Sequence, residues 1–142
     1  MKKRMFLMLA FALTMCSTMM ADNDRVINFD QLPAQALTLL KTHFGDKVPL
    51  IVTADRNEFT VMYENGEKVE FDKKGNWKDL NFKMSEVPAE LIPEAIKAHV
   101  AASFPQAKII KLDRDRRGYE VKLDNMLELE FNKKFQLIEL GD

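Results

Sequence analysis

Phe71-Asp72-Lys73-Lys74 and Phe131-Asn132-Lys133-Lys134 lie 60 positions apart, and that offset holds without a gap from Pro33/Pro93 to Leu80/Leu140. Within this window Phe44/Phe104, Asp55/Asp115, Arg56/Arg116, Val61/Val121, Asn65/Asn125 and Glu70/Glu130 are also identical, and Phe59/Tyr119 and Val69/Leu129 keep their character. Eleven of the 48 aligned pairs match, against about 3 expected from ordinary composition. A fixed period of this kind means one supersecondary unit built twice.

Each copy reads as a helix followed by strands. Leu32-Pro33 opens a helix whose apolar positions Ala36, Leu37, Leu40 and Phe44 form one stripe of a 3.6-residue period, and Gly45 closes it. The second helix runs from Ala89 or Pro93 to Phe104, with Ile96, Val100 and Phe104 on one face and a short turn, Pro88 to Ile92, before it. Val48 to Thr53 reads as a strand, and Glu58 to Tyr63 alternates so that Phe59, Val61 and Tyr63 share a face. Asn65-Gly66 predicts a type I′ hairpin turn, with both residues at positive φ. Lys68 to Phe71 returns, Asp72 to Gly75 turns again, and Trp77 to Phe82 is the last strand. The second copy repeats this with Ile109–Leu112, Tyr119–Leu123, Leu127–Phe131 and Leu137–Leu140, but Met126 and Phe135 replace Gly66 and Gly75. Those replacements weaken its turn signals. The expected fold is α+β: two tandem helix-plus-four-strand repeats (32–84 and 85–142) forming one antiparallel sheet of about eight strands, helices packed on one face.

Residues 1–21 read as a secretory signal: Lys2-Lys3-Arg4, an apolar run from Met5 to Met15, then small and polar residues ending at Ala21. The run of about 11 residues is shorter than the roughly 20 that span a bilayer. Cys16, the only cysteine, sits in Leu13-Thr14-Met15-Cys16, which faintly resembles a lipobox. Met15 is a poor fit there, so a soluble product is favoured over a lipid anchor. No disulfide can form within 22–142, a single domain, and the expected compartment is periplasmic or secreted.

Removing Lys2, Lys3 and Arg4 leaves 21 − 3 = 18 basic residues against 22 acidic ones, a formal charge of −4. That balance disfavours nucleic acid. Catalytic groups do not assemble either. His43 and His99 stand on helices without partners at ligand spacing, no serine sits in a nucleophile elbow, and no cofactor is implied. Asp113-Arg114-Asp115-Arg116-Arg117 lacks the spacing and glycine of a calcium loop and reads as a charged hairpin turn.

The ordered run Leu32-Pro33…Phe44…Phe59-Thr60-Val61…Asn65-Gly66…Glu70 to Trp77 resembles the repeat of the PepSY-like periplasmic proteins of gut anaerobic bacteria. Ile92-Pro93…Phe104-Pro105…Tyr119-Glu120-Val121…Phe131 resembles it again. The likeness implies an architecture similar to that of the β-lactamase inhibitor protein, two tandem units forming one curved sheet, and it implies no catalytic residues.

The helix-free sheet face is then the candidate surface. It should carry Thr60, Met62, Glu70, Glu120, Lys122, Glu128 and Glu130, mostly charged, as a wet face requires. Three apolar groups, Trp77, Met62 and Phe135, are not comfortably buried by the alternation. For Trp77 the plainer expectation is a cap on the core edge; the sharper one makes these three anchors for an exported protein partner. The expected function is a non-enzymatic exported binding module that binds, inhibits or modulates another protein. The alternative is a small-molecule or peptide binder with a cleft between helices and sheet.

Overall fold

The structure, a computed structural model, describes residues 24–142. The signal segment and Cys16 lie outside the described residues. Over these described residues the chain lays down nine strands in strictly sequential order: β1 Arg25–Val26, β2 Pro49–Ala54, β3 Glu58–Tyr63, β4 Lys68–Asp72, β5 Trp77–Asn81, β6 Ile109–Arg114, β7 Gly118–Leu123, β8 Glu128–Asn132 and β9 Leu137–Gly141. All pair antiparallel with their chain neighbours in one sheet. Helix α1 (Ala34–Phe44) stands between β1 and β2, and α2 (Glu94–Ser103) between β5 and β6. Strands β2–β5 map onto β6–β9, residue for residue, at the offset of 60 read in the sequence.

The alternation of side chains explains the packing. Val61, Tyr63, Val69, Phe71, Leu80, Leu112, Val121, Leu123, Leu129 and Phe131 are buried in a single cluster with Leu32, Ala36, Leu40 and Phe44 from the first helical segment. Ile92, Ile96 and Val100 from the second segment join the same cluster. Both helices therefore cover the same sheet face. The stretch from Lys83 to Val87, the one place the sequence suggested a boundary, does not separate the copies. Val87 is buried, and its N–H donates to the Ile109 carbonyl at 2.8 Å.

Two details differ from expectation. The sheet has nine strands rather than eight, because Arg25–Val26 pairs with Ala54 and Thr53; two residues carry too little periodicity to read. The hairpin at Asn65-Gly66 is not type I′. Gly66 N–H donates to the Tyr63 carbonyl and Tyr63 N–H to the Glu67 carbonyl, and only Gly66 has a positive φ, +90°. This is a type I turn followed by a bulge residue in the left-handed region. Asp72 to Asn76 has the same geometry, with Gly75 at φ +94°.

The second copy keeps this geometry without the glycines. Met126 (φ 73°) donates to Leu123 as Gly66 does to Tyr63, and Phe135 (φ 63°) donates to Asn132 as Gly75 does to Asp72. A side chain in this region costs about 1–2 kcal/mol. Met126 is 46% exposed, so little packing offsets that strain. Met126→Gly is therefore expected to raise stability by about 1 kcal/mol, read as a higher urea midpoint at unchanged slope.

Candidate functional site

The helix-free face is organised by register. Thr60 lies opposite Glu70, Glu70 opposite Asp79, Asp79 opposite Asp113, Asp113 opposite Glu120, Glu120 opposite Glu130, and Glu130 opposite Glu139. Six carboxylates thus form one line across β4 to β9. A second row runs beside it: Ile51, Met62, Lys68, Asn81, Lys111, Lys122 and Glu128. The lysines reach back across the strip, Lys68 Nζ to Glu70 Oε1 at 3.9 Å and Lys111 Nζ to Asp113 Oδ2 at 3.5 Å. On the other flank Lys78 Nζ meets Glu58 Oε2 at 2.8 Å. Like charges directly opposite one another destabilise a sheet, so the line is held against its own repulsion by these flanking cations and by the core beneath.

A bulge makes this alignment possible. Glu70 pairs with Asp79 but Phe71 pairs with Trp77, leaving Lys78 as an extra residue. Trp77 and Leu80 can then both face the core while Asp79 faces out. The same slip recurs between Glu130 and Phe131 against β9. Plain alternation in the sequence could not place Trp77, and the bulge is the reason.

Where β5 meets β6, Asp79 and Asp113 face each other. One oxygen of each, Oδ1, is closed to solvent and reached by no hydrogen-bond donor. Burial pushes the Asp79 carboxyl up to about 8, and the Asp113 side chain opposite pushes in the same direction. Lys111 is raised although its burial opposes this, because the Asp113 and Asp79 carboxylates favour its charged form. A cavity of about 300 Å³ opens over this junction, and its lining includes Glu70, Asp79, Asp113 and Glu120 together with Lys78, Arg114 and Arg117.

The three apolar candidates are not brought together. Met62 is half-buried in the lysine row on the open face, its neighbours Val61 and Tyr63 pointing into the core. Trp77 is buried, 7% exposed, as the plainer expectation had it; the Arg114 guanidinium lies 3.8 Å over its ring and donates from Nε to the Trp77 carbonyl at 2.7 Å. Phe135 is exposed at the β8–β9 turn and stacks on Tyr119 at 5.2 Å. Burial lowers Arg114, while Tyr119 and Asp72 act the other way, Tyr119 through a hydrogen bond as well. Trp77 and Phe135 are thus linked through Arg114 and Tyr119, whereas Met62 belongs to a different surface.

The charged run at Asp113 is a correction. Asp113 and Arg114 belong to β6, and only Asp115 to Arg117 turn, with Asp115 Oδ1 accepting from the Arg117 and Gly118 N–H groups. Sequence reading therefore missed Asp113, and Asp79 with it. The usable signal was the offset of 60, since Asp113 aligns with Thr53 inside a strand. Among the described residues no group of His, Cys, Asp and Glu is arranged to hold a metal ion, and no helix is long and apolar enough to cross a membrane.

A family model described as "Putative beta-lactamase-inhibitor-like, PepSY-like" matches residues 57–139. The chain belongs to the PepSY-like family. Solved structures agree over nearly its whole described length. A Bacteroides vulgatus protein, described as periplasmic and of the DUF2874 family, is 41% identical with a TM-score of 0.83, covering 86% of this chain and 99% of its own. A Bacteroides thetaiotaomicron protein, described as calcium-regulated and periplasmic, is 40% identical with a TM-score of 0.82, at 86% and 99% coverage. A second Bacteroides vulgatus protein, described as periplasmic and of unknown function, is 28% identical with a TM-score of 0.79, at 84% and 100%. No curated protein matches. Like these solved structures, the chain is a periplasmic or secreted protein, and its α+β fold is of the β-lactamase-inhibitor-like kind that the family description names.

Proposed function

We propose that this PepSY-like protein is a non-enzymatic exported binding module that docks another protein against the helix-free face of its sheet. The observation that carries the reading is the line of six carboxylates from Glu70 to Glu139, laid across a rigid sheet backed by a single core. Charge ordered on a stiff surface selects a partner and its orientation more than it adds raw affinity. The complementary partner surface is basic. The inhibitor-like family description supports the same reading. The calcium regulation ascribed to the Bacteroides thetaiotaomicron relative is not carried over, because no group of ligating residues among those described is arranged for a cation.

Capture from periplasmic extract tests the proposal. Wild type is expected to retain a basic protein that elutes with salt, since contacts between exposed charges are screened. Glu120→Lys with Glu130→Lys should abolish retention, and Phe135→Ala, which removes the exposed ring away from the carboxylate line, should weaken it less. Equal capture by wild type and the double reversal would overturn the assignment to this face. The second reading is a small ligand with a basic group, favoured by the cavity at the β5–β6 junction. The expected cleft between helices and sheet is not where that cavity lies. Such a ligand would raise the melting temperature of the purified protein, because it binds only the native state.

A further inference from the structure

We propose that Asp79 and Asp113 share a single proton that clamps the two repeats together, making the β5–β6 seam a pH-operated joint. Among the described residues the seam is where the strands of one copy pair with those of the other. Its register comprises three pairs, Asp79–Asp113, Leu80–Leu112 and Asn81–Lys111, where β3–β4 within the first copy has five. At one end of that register two carboxylates meet, each with one oxygen shut off from water and lacking a donor. Buried polar atoms without partners are rare and costly. A proton on either carboxylate supplies the missing donor and removes the repulsion in one step. Two carboxylates that share a site in this way cannot both ionise at ordinary cost.

The surroundings fix the sign. Glu70 on β4 faces Asp79 and Glu120 on β7 faces Asp113, both favouring the protonated pair. Glu130 on β8 lies one strand beyond. Lys111 on β6 opposes them through its contact with Asp113. Lys78, Arg114, Asp115, Arg117 and Tyr119 line the cavity above. Burial dominates, and the direction for Asp79 is upward, to about 8. An acid raised in the folded state holds its proton there while the unfolded chain, titrating near 3.9, has lost it. The native state thus binds the extra proton between about pH 4 and pH 8. The clamp is complete below that window, weakens as pH rises through it, and is gone above about 8.

Hydrogen exchange on the protein purified from the periplasm tests this. Amides of the seam, such as Phe82 N–H, which donates to the Ile110 carbonyl at 2.9 Å, are compared with β3–β4 amides to cancel the intrinsic pH dependence. Between pH 5 and pH 8 the seam amides are expected to lose protection relative to β3–β4 by up to about tenfold per pH unit, the limit for one linked proton. Asp79→Asn places a permanent donor opposite Asp113; its seam protection should be flat with pH and should exceed wild type at pH 8. An unchanged pH slope in Asp79→Asn would assign the effect to other carboxylates and overturn the proposal. Should that variant fail to fold, carbon-detected carboxyl titration of the wild type decides. A titration of Asp79 well above 4 supports the joint, and one near 4 sinks it.

Discussion

Gly118→Ala is expected to destabilise the protein by about 3 kcal/mol or more, well beyond an ordinary surface substitution. Gly118 opens β7 at φ +149°, a backbone conformation side chains rarely adopt. A Cβ there would land on the Phe131 carbonyl oxygen and come within 2.8 Å of the Asn132 backbone. Those atoms are the neighbouring strand itself, with Gly118 in register against Asn132, so they cannot swing away as a flexible side chain would. The chain must separate β7 from β8 or shift their register. Either also moves Tyr119 and with it the Tyr119–Phe135 stack. Thermal unfolding should show a fall of about 10 °C or more, given the few degrees each kcal/mol is worth in a domain of this size. A fall under 2 °C would show that the strand ends are softer than the packing implies. The equivalent residue in the first copy is Glu58. Position 118 therefore has a requirement the repeat does not share.

Phe71→Ala carries the other large effect, a loss of about 3–5 kcal/mol from the lost transfer energy and the cavity left behind. Phe71 is fully buried, registered between Phe59 and Trp77 on the adjoining strands. Its counterpart Phe131 is equally enclosed, with His99 edge-on at 5.4 Å. Because both belong to one continuous core, the loss should appear as a single cooperative transition rather than the melting of one half. Urea unfolding at pH 6 followed by tryptophan fluorescence and far-UV dichroism checks this: Trp77, on β5 beneath Arg114 of β6, reports the junction of the copies and dichroism the whole. Non-coincident curves would mean the repeats are separable units.

Much of this architecture was legible in the sequence because its signals are local or periodic. Ala36, Leu40 and Phe44 mark a helix within 11 residues, Val61 and Tyr63 a strand within six. The offset of 60 doubled every such signal and implied the shared sheet. Features that depend on strands distant in the chain were not legible. Asp79 and Asp113 are 34 positions apart, and nothing near either announces the other. The bulge at Lys78 that turns Asp79 outward is set by pairing with β4. The left-handed residues Met126 and Phe135 adopt their conformation because the hairpins around them demand it, against their own preference. The candidate surface was thus named by its face and by Glu70, Glu120 and Glu130, while its centre came from the assembled sheet.

Among the described residues every strand bonds only to its neighbours in chain order. A polypeptide delivered across a membrane from its amino end emerges in that same order. Each new ribbon finds its neighbour already in place, so all but the two helix-bearing connections are short loops and no early segment waits for a distant late one. The aggregation-prone interval in which an unfinished sheet shows an open edge is correspondingly brief. For a protein assembled outside the cytoplasm, that ordering is a folding pathway written into the topology.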